Sequence, residues 1–374
     1  MAIKDLHDEP FDDSTIAKLE IFEAYAEAWL PTFIMLGSSD ICVFDFFAGT
    51  GFDKNGVAGS PIRLLEKIQG QKENILKKNV KVHLYLNEFE PNKRKQLKFE
   101  QLKAACKAFL EKDDELASHV EMVYCNEDFQ ELFPKLLPVI QKNPSLVYLD
   151  QNGIKFLSPK YFLEFEKTNR TDFLYFVSSS YFWRFGEREE FKMHLDIDIA
   201  LAKSQGYKFI HRSITQQLRK KLHPDSGLML YPFSIKKGAN IHGIIFGATH
   251  PRAVDKFLKI AWQKNKINGD ANFDIDDEVG NQQLDFFSPA RLSKIDSFKK
   301  KVREAVLSGQ ISNNFQLLSF CYRLGHIGTH GAECLKEMKK NGEVAYDAQS
   351  PMVTYDSVYH KTKKQLVDYQ VKKK

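Results

Sequence analysis

The 374 residues lack most of the features that identify common protein classes. No apolar run reaches the ~18 residues of a membrane-crossing helix. The opening MAIKDLHDEPFDDS has no apolar core of the secretory type. The chain is therefore expected in the cytoplasm, away from membranes. Its five cysteines (Cys42, Cys106, Cys125, Cys321 and Cys334) form no CxxC pair, so neither a zinc site nor a disulfide framework is suggested. His326 and His330 stand one helical turn apart without an accompanying ligand set, and no metal is expected. GxGxxG, the P-loop, GxSxG and HExxH are all missing, as is any two-carboxylate hydrolase pattern.

What is present is the balance of a globular chain, 43% hydrophobic and 28% charged. The net charge of +5 is unevenly spread. From Arg291 to Lys374 there are 16 basic and 8 acidic residues, whereas the first 290 residues hold 38 basic and 41 acidic. The excess belongs to the C-terminal segment, either as a solvated lysine-rich face or as a surface for a polyanion.

Residues 14–36 show helical apolar spacing, with Ser14 as cap. Strands are expected at ICVFDFF, KVHLYLNEFE (81–90), HVEMVYCNEDF (119–129), SLVYLDQNG (145–153) and TDFLYFVSS (171–179). Helices alternate with them: 60–69 with Ser60 as cap and Pro61 at its first position, a charged stretch near 93–112, and 187–204. LMLYPFSI (228–235) and IHGIIFGAT (241–249) read as an antiparallel hairpin turned at Gly238. A helix at 251–263 closes the unit. This is an α/β chain with a doubly wound, mostly parallel sheet and a terminal antiparallel hairpin. That arrangement is the one found in S-adenosylmethionine-dependent methyltransferases. The expected domains are 1–265 for the sheet, 266–290 as a polar linker and 291–374 as a basic winged-helix-like domain. The last would have three short helices and a wing made by EVAYD and PMVTYD.

Ligands of such sheets lie at the C-terminal strand ends, where strand order reverses. Asp45 ends the first strand, and Phe47, Ala48, Gly49, Thr50 and Gly51 form a turn whose glycines let backbone approach a ligand. Glu88 at the second tip can accept a ribose diol, and Asn126 or Asp128 at the third can meet an adenine. Taken in order, these residues point to an adenosine-type ligand.

DFFAGTG with GSP at 59–61, Lys18, Tyr25 and Trp29, Asp150 with Gly153, YPFSIK (231–236) and FLKIAW (257–262) resemble the three-Cys-motif partner proteins (TcmP). The likeness spans about residues 15–265. It implies a methyltransferase-like fold using S-adenosylmethionine, and a partner protein carrying three cysteines, of the radical-S-adenosylmethionine kind. DFFAGTG also resembles the cofactor motif of amino-methyltransferases acting on nucleic-acid bases. In those enzymes a D-P-P-Y-like motif ends the fourth strand, the acid accepting from the exocyclic amine and the aromatic ring stacking on the base. Asp150 fills the acid's place, but Gln151, Asn152 and Gly153 replace the rest. Phe156 or Tyr181 remains to supply the ring. Trp183 and Arg184, with Arg188, are the candidate contacts to a base and phosphate. Lys336, Lys339 and Lys340 of the third C-terminal helix are the candidate contacts to DNA or RNA. Two functions follow: a methyltransferase acting on or with nucleic acid beside the three-cysteine partner, or a non-catalytic module of the same fold that binds either one.

Overall fold

The computed structural model describes residues 10–91, 97–151, 158–185, 187, 197–238, 240–278 and 292–372. They fall into two units, one up to His250 and one from Pro251.

The first unit is built on a seven-stranded sheet in the order β3-β2-β1-β4-β5-β7-β6. The strands are β1 (Asp40–Asp45), β2 (Lys81–Asn87), β3 (Val120–Cys125), β4 (Ser145–Leu149), β5 (Thr171–Ser178), β6 (Met229–Lys237) and β7 (Asn240–Ala248). β1 to β5 run parallel, and β7 lies antiparallel to both β5 and β6. From Ile41 to Asp45 the central strand is buried, as a strand covered on both faces must be. Gly238, at φ +52°, turns the β6–β7 hairpin. Behind the sheet an aromatic core forms, in which Phe46 meets Phe129 edge-on at 5.1 Å and Phe133 meets Phe165 at 5.6 Å.

The helices show how local chemistry sets the boundaries. α1 (Asp13–Met35) is capped by Asp12, which accepts the Thr15 amide at 2.8 Å, so the cap is not Ser14. Tyr25 and Trp29 are buried on its inner face. α2 (Ser60–Gln69) is capped by Gly59, with no side-chain cap bond, and Pro61 is its second residue rather than its first. Ser60 is excluded from capping because its hydroxyl is committed to Asp45. α3 (Lys72–Lys78) precedes β2. α4 (Leu97–Leu110) and α5 (Asp114–Ala117) precede β3. α6 (Phe129–Lys142), α7 (Pro159–Glu166), α8 (Ser179–Phe185), α9 (Ile199–Ser204) and α10 (Ile210–Lys221) follow among the described residues. Of the helix expected at 187–204, residues 188–196 lie outside the described residues.

The second unit begins with α11 (Pro251–Lys264), a helix the sequence reading assigned to the sheet domain. Its inward side chains bond within this unit: Asp255 accepts from Tyr322 Oη at 2.9 Å, and Trp262 Nε1 donates to the Gly325 carbonyl at 2.9 Å. In the described part of the expected linker, 266–278, local side-chain bonds hold the chain. Buried Asn268 accepts the Asp270 and Ala271 amides, and Lys294 binds Asp270 at 2.7 Å. Residues 279–291 lie outside the described residues. Three helices follow, α12 (Lys294–Leu307), α13 (Asn314–Arg323) and α14 (Gly328–Lys340).

The small sheet differs from expectation. β8 (Val344–Ala345) pairs not with PMVTYD but antiparallel with β9 (Gln370–Val371). Met352 takes a left-handed φ of +52° and Thr354 caps a short helix, α15 (Tyr355–Tyr359), so that stretch cannot run on as a strand. Asn314, fully buried, gathers the returning chain by donating to the Met352 and Gln365 carbonyls and accepting the Val367 amide. His326 stacks on Phe298 at 3.9 Å and faces His330. Burial holds both imidazoles neutral, at pKa values of about 2 and about 4. Among the described residues no cluster of three metal-ligating side chains occurs, and no helix is long and apolar enough to cross a membrane.

Candidate functional site

Strand order reverses between β1 and β4, and that is where an open α/β sheet presents its crevice. The β1 tip carries Asp45 and the β4 tip carries Asp150. The register sets Asp45 beside Tyr148, two residues short of Asp150. Asp45 is 1% exposed. It accepts the Ser60 hydroxyl at 2.6 Å and the Phe47 amide at 3.1 Å. Burial lifts its carboxyl to about 7, with Asp150 and Glu88 pushing the same way and the two hydrogen bonds opposing.

The turn that follows is drawn onto the β2 tip. Gly49 and Gly51 have φ of +68° and +91°. Gly49 donates its amide to Glu88 Oε2 at 2.9 Å, and Ala48 donates to the Asn87 carbonyl. A Cβ on Gly51 would stand 2.9 Å from that of Ala105, so the position is closed to larger residues on both conformational and steric grounds. Thr50 closes the turn by donating to the Phe52 carbonyl at 2.6 Å. Half-buried Phe47 faces Phe129. A cleft of about 430 Å³ lies between this loop and α4, lined by Thr50, Phe52, Asp53, Lys54, Lys98 and Gln101. That volume suits a small ligand.

At the β3 tip, Asn126 Oδ1 accepts the Glu90 amide at 2.9 Å, while its buried Nδ2 has no hydrogen-bond partner among the described residues. A buried amide donor without a partner is a costly group, one that a ligand acceptor would satisfy. Asp128 caps α6 by accepting the Gln130 amide. Sequence reasoning missed Asn87. Its side chain donates to the Phe46 and Glu127 carbonyls and accepts the Glu127 amide, tying three strand tips into one platform.

At the β4 tip the site contains an ion pair that no sequence spacing announces. Lys18 of α1 reaches across to Asp150 Oδ2, and both side chains are largely buried, 10% and 18% exposed. The Lys18 ammonium also lies 4.4 Å from the centroid of the Phe176 ring. Burial and the Asp150 charge drive the Tyr148 phenol pKa well above its usual value. Next in the chain is Gln151. It is buried and donates to Tyr175 Oη at 3.1 Å. Asn152, Gly153 and Phe156 lie outside the described residues.

Past β5, Tyr181 falls on α8, but its side chain lies outside the described residues. Trp183 is 38% exposed, edge-on to Tyr207 at 5.9 Å and 5.6 Å from the Lys203 ammonium, and Arg184 is exposed beside it. Phe182 is buried, so the aromatic run splits into one core ring and one surface ring. In the second unit Lys336 and Lys340 are exposed on α14, while Lys339 donates to the Tyr346 carbonyl and sits over its ring.

No protein-family model matches this chain. No curated protein matches it either. Among solved structures it is similar to the O-methyltransferase TomG from Streptomyces achromogenes, involved in tomaymycin synthesis and solved in complex with S-adenosylmethionine. The match has a TM-score of 0.31 and 11% identity, over 64% of this chain and 90% of that one.

Proposed function

We propose that this protein is an S-adenosylmethionine-dependent methyltransferase-like protein that acts on or with nucleic acid, alongside a three-cysteine-motif partner. The carrying observation is the platform at the sheet's switch point, where the Gly49–Gly51 turn is bonded to Glu88 and stands beside Asp45 and Asp150. The five parallel strands and the reversed β7 agree with the methyltransferase arrangement expected from the sequence. The residues fit the adenosyl group. The glycine turn would take its close approach, Glu88 the ribose hydroxyls and the Asn126 amide the adenine. The cofactor would supply an activated methyl group, and the chain would orient the acceptor and exclude water.

Calorimetry with S-adenosylmethionine and its demethylated product tests this directly. We expect binding of both, retained in Asp150→Ala, with methyl transfer lost in that variant. No heat with either compound would sink the reading. The winged-helix reading of the second unit, with Lys336 and Lys340 exposed, supports delivery of a polyanion, and the binding should weaken steeply with salt. A second reading, a non-catalytic module of the same fold, is favoured by the inward turn of Gln151 and the pairing of Asp150 with Lys18. It expects nucleic-acid or partner binding untouched by Asp150→Ala and no turnover.

A further inference from the structure

The ion pair at the β4 tip limits the kind of atom that can be presented there. Holding an exocyclic amine takes acceptors around its N–H groups, so that the hydrogens are drawn aside and the lone pair is left for the methyl carbon. The Lys18 ammonium engages Asp150 Oδ2, which leaves one carboxylate oxygen to take a single hydroxyl proton rather than two acceptors for the N–H groups of an amine. The amide of Gln151 is turned into the core toward Tyr175. Among the described residues, what the site adds beside the carboxylate is a group with only donors and a full positive charge. Such a group repels amine hydrogens and stabilises an oxygen that is losing its proton. At 10% and 18% exposure the pair is dry enough for charge to act strongly, yet Asp150 still meets solvent from one side. Phe176 fixes the ammonium from another side.

Resting on the methyltransferase reading above, we propose that the methyl acceptor is a hydroxyl oxygen, in nucleic acid the ribose 2′-hydroxyl of RNA, presented by Lys18 and Asp150. The hydroxyl proton passes to the Asp150 carboxylate. The oxygen's electron pair forms the new bond to the methyl carbon. The sulfur–methyl bond breaks with its pair left on sulfur, discharging the sulfonium. Lys18 keeps its proton throughout and faces the oxygen as negative charge develops.

The test incubates the full chain with methyl-labelled S-adenosylmethionine and either a mixed-sequence RNA or DNA of the same sequence. Label is expected in RNA alone and, after alkaline hydrolysis, in alkali-resistant dinucleotides. Lys18→Met should lower kcat at least about 100-fold with RNA affinity by anisotropy within about twofold. Lys18→Arg should restore part of kcat with a displaced pH profile. Melting curves on both variants separate this from loss of fold. Label in DNA, label on RNA bases, or a folded Lys18→Met of normal kcat overturns the proposal. Label in neither polymer while calorimetry records cofactor binding also overturns it and leaves the cofactor reading standing. Absence of cofactor binding removes the reading beneath both.

Discussion

Asp45 and Asp150 close neighbouring parallel strands and are the same residue, yet the fold gives them opposite partners. Asp45 is sealed, answered by a serine hydroxyl and a backbone amide, and is raised to about 7. Asp150 is answered by a full positive charge and keeps one side to solvent. A carboxylate given dipoles can be neutral and act as a brace for the turn above it. A carboxylate given an ammonium is held in an ion pair, and with solvent access it can meet a ligand. Position at a strand tip nominates both; the partner separates them.

The largest effect should come from breaking the charged tip. Asp150→Ala strands the Lys18 ammonium, which costs on the order of 3 kcal/mol or more, and the double variant Lys18→Met, Asp150→Leu should recover most of that loss. Chemical denaturation of the three proteins checks it, and a double variant no better than the single one would erase the contrast.

Next comes the glycine turn over the Asp45 tip. Gly51→Ala meets both the left-handed φ and Ala105, and should cost about 1–3 kcal/mol and weaken cofactor affinity. A thermal melt with and without S-adenosylmethionine reads both.

The pH dependence of the Asp45 tip is a sharper test. Unfolded, Asp45 titrates at its ordinary 3.8, and folded at about 7. The native state holds the proton more tightly, so this contribution is complete below 3.8 and is lost as pH rises through about 7. Asp45→Asn cannot lose it. The variant should gain on the wild type in denaturation midpoint between pH 5 and pH 8, and parallel midpoints would show that burial does not raise the Asp45 carboxyl.

The smallest expected effect lies outside the sheet unit. Lys336→Glu with Lys340→Glu should leave both tips untouched and flatten the salt dependence of nucleic-acid binding by a slope of about 2. An unchanged slope would move polyanion binding elsewhere.

The strand tips were legible because parallel strands alternate with helices at recognisable spacing, and Asp45, Glu88, Asn126 and Asp150 fall where runs of apolar residues end. The partners were not. Ser60 reads as a helix cap from its neighbours, and only the folded turn shows its hydroxyl bonded to Asp45. Lys18 stands in the leading helix with nothing local to connect it to Asp150; the contact exists only once α1 packs on the sheet. Asn87 looks like one more polar residue in NEFEPNK, and its three bonds run to other strands. The small sheet misled for the same reason. PMVTYD has strand-like composition, but the partner of β8 is Gln370–Val371 near the end of the chain.

Asn314 has a consequence for how the second unit opens. Its side chain joins a helix start to three points of the returning segment, at Met352, Gln365 and Val367. Releasing any one leaves a buried amide unsatisfied, so fraying from the terminus should stop there. The Val367 amide should therefore exchange with deuterium only through opening of the whole unit, at a rate that tracks its global stability.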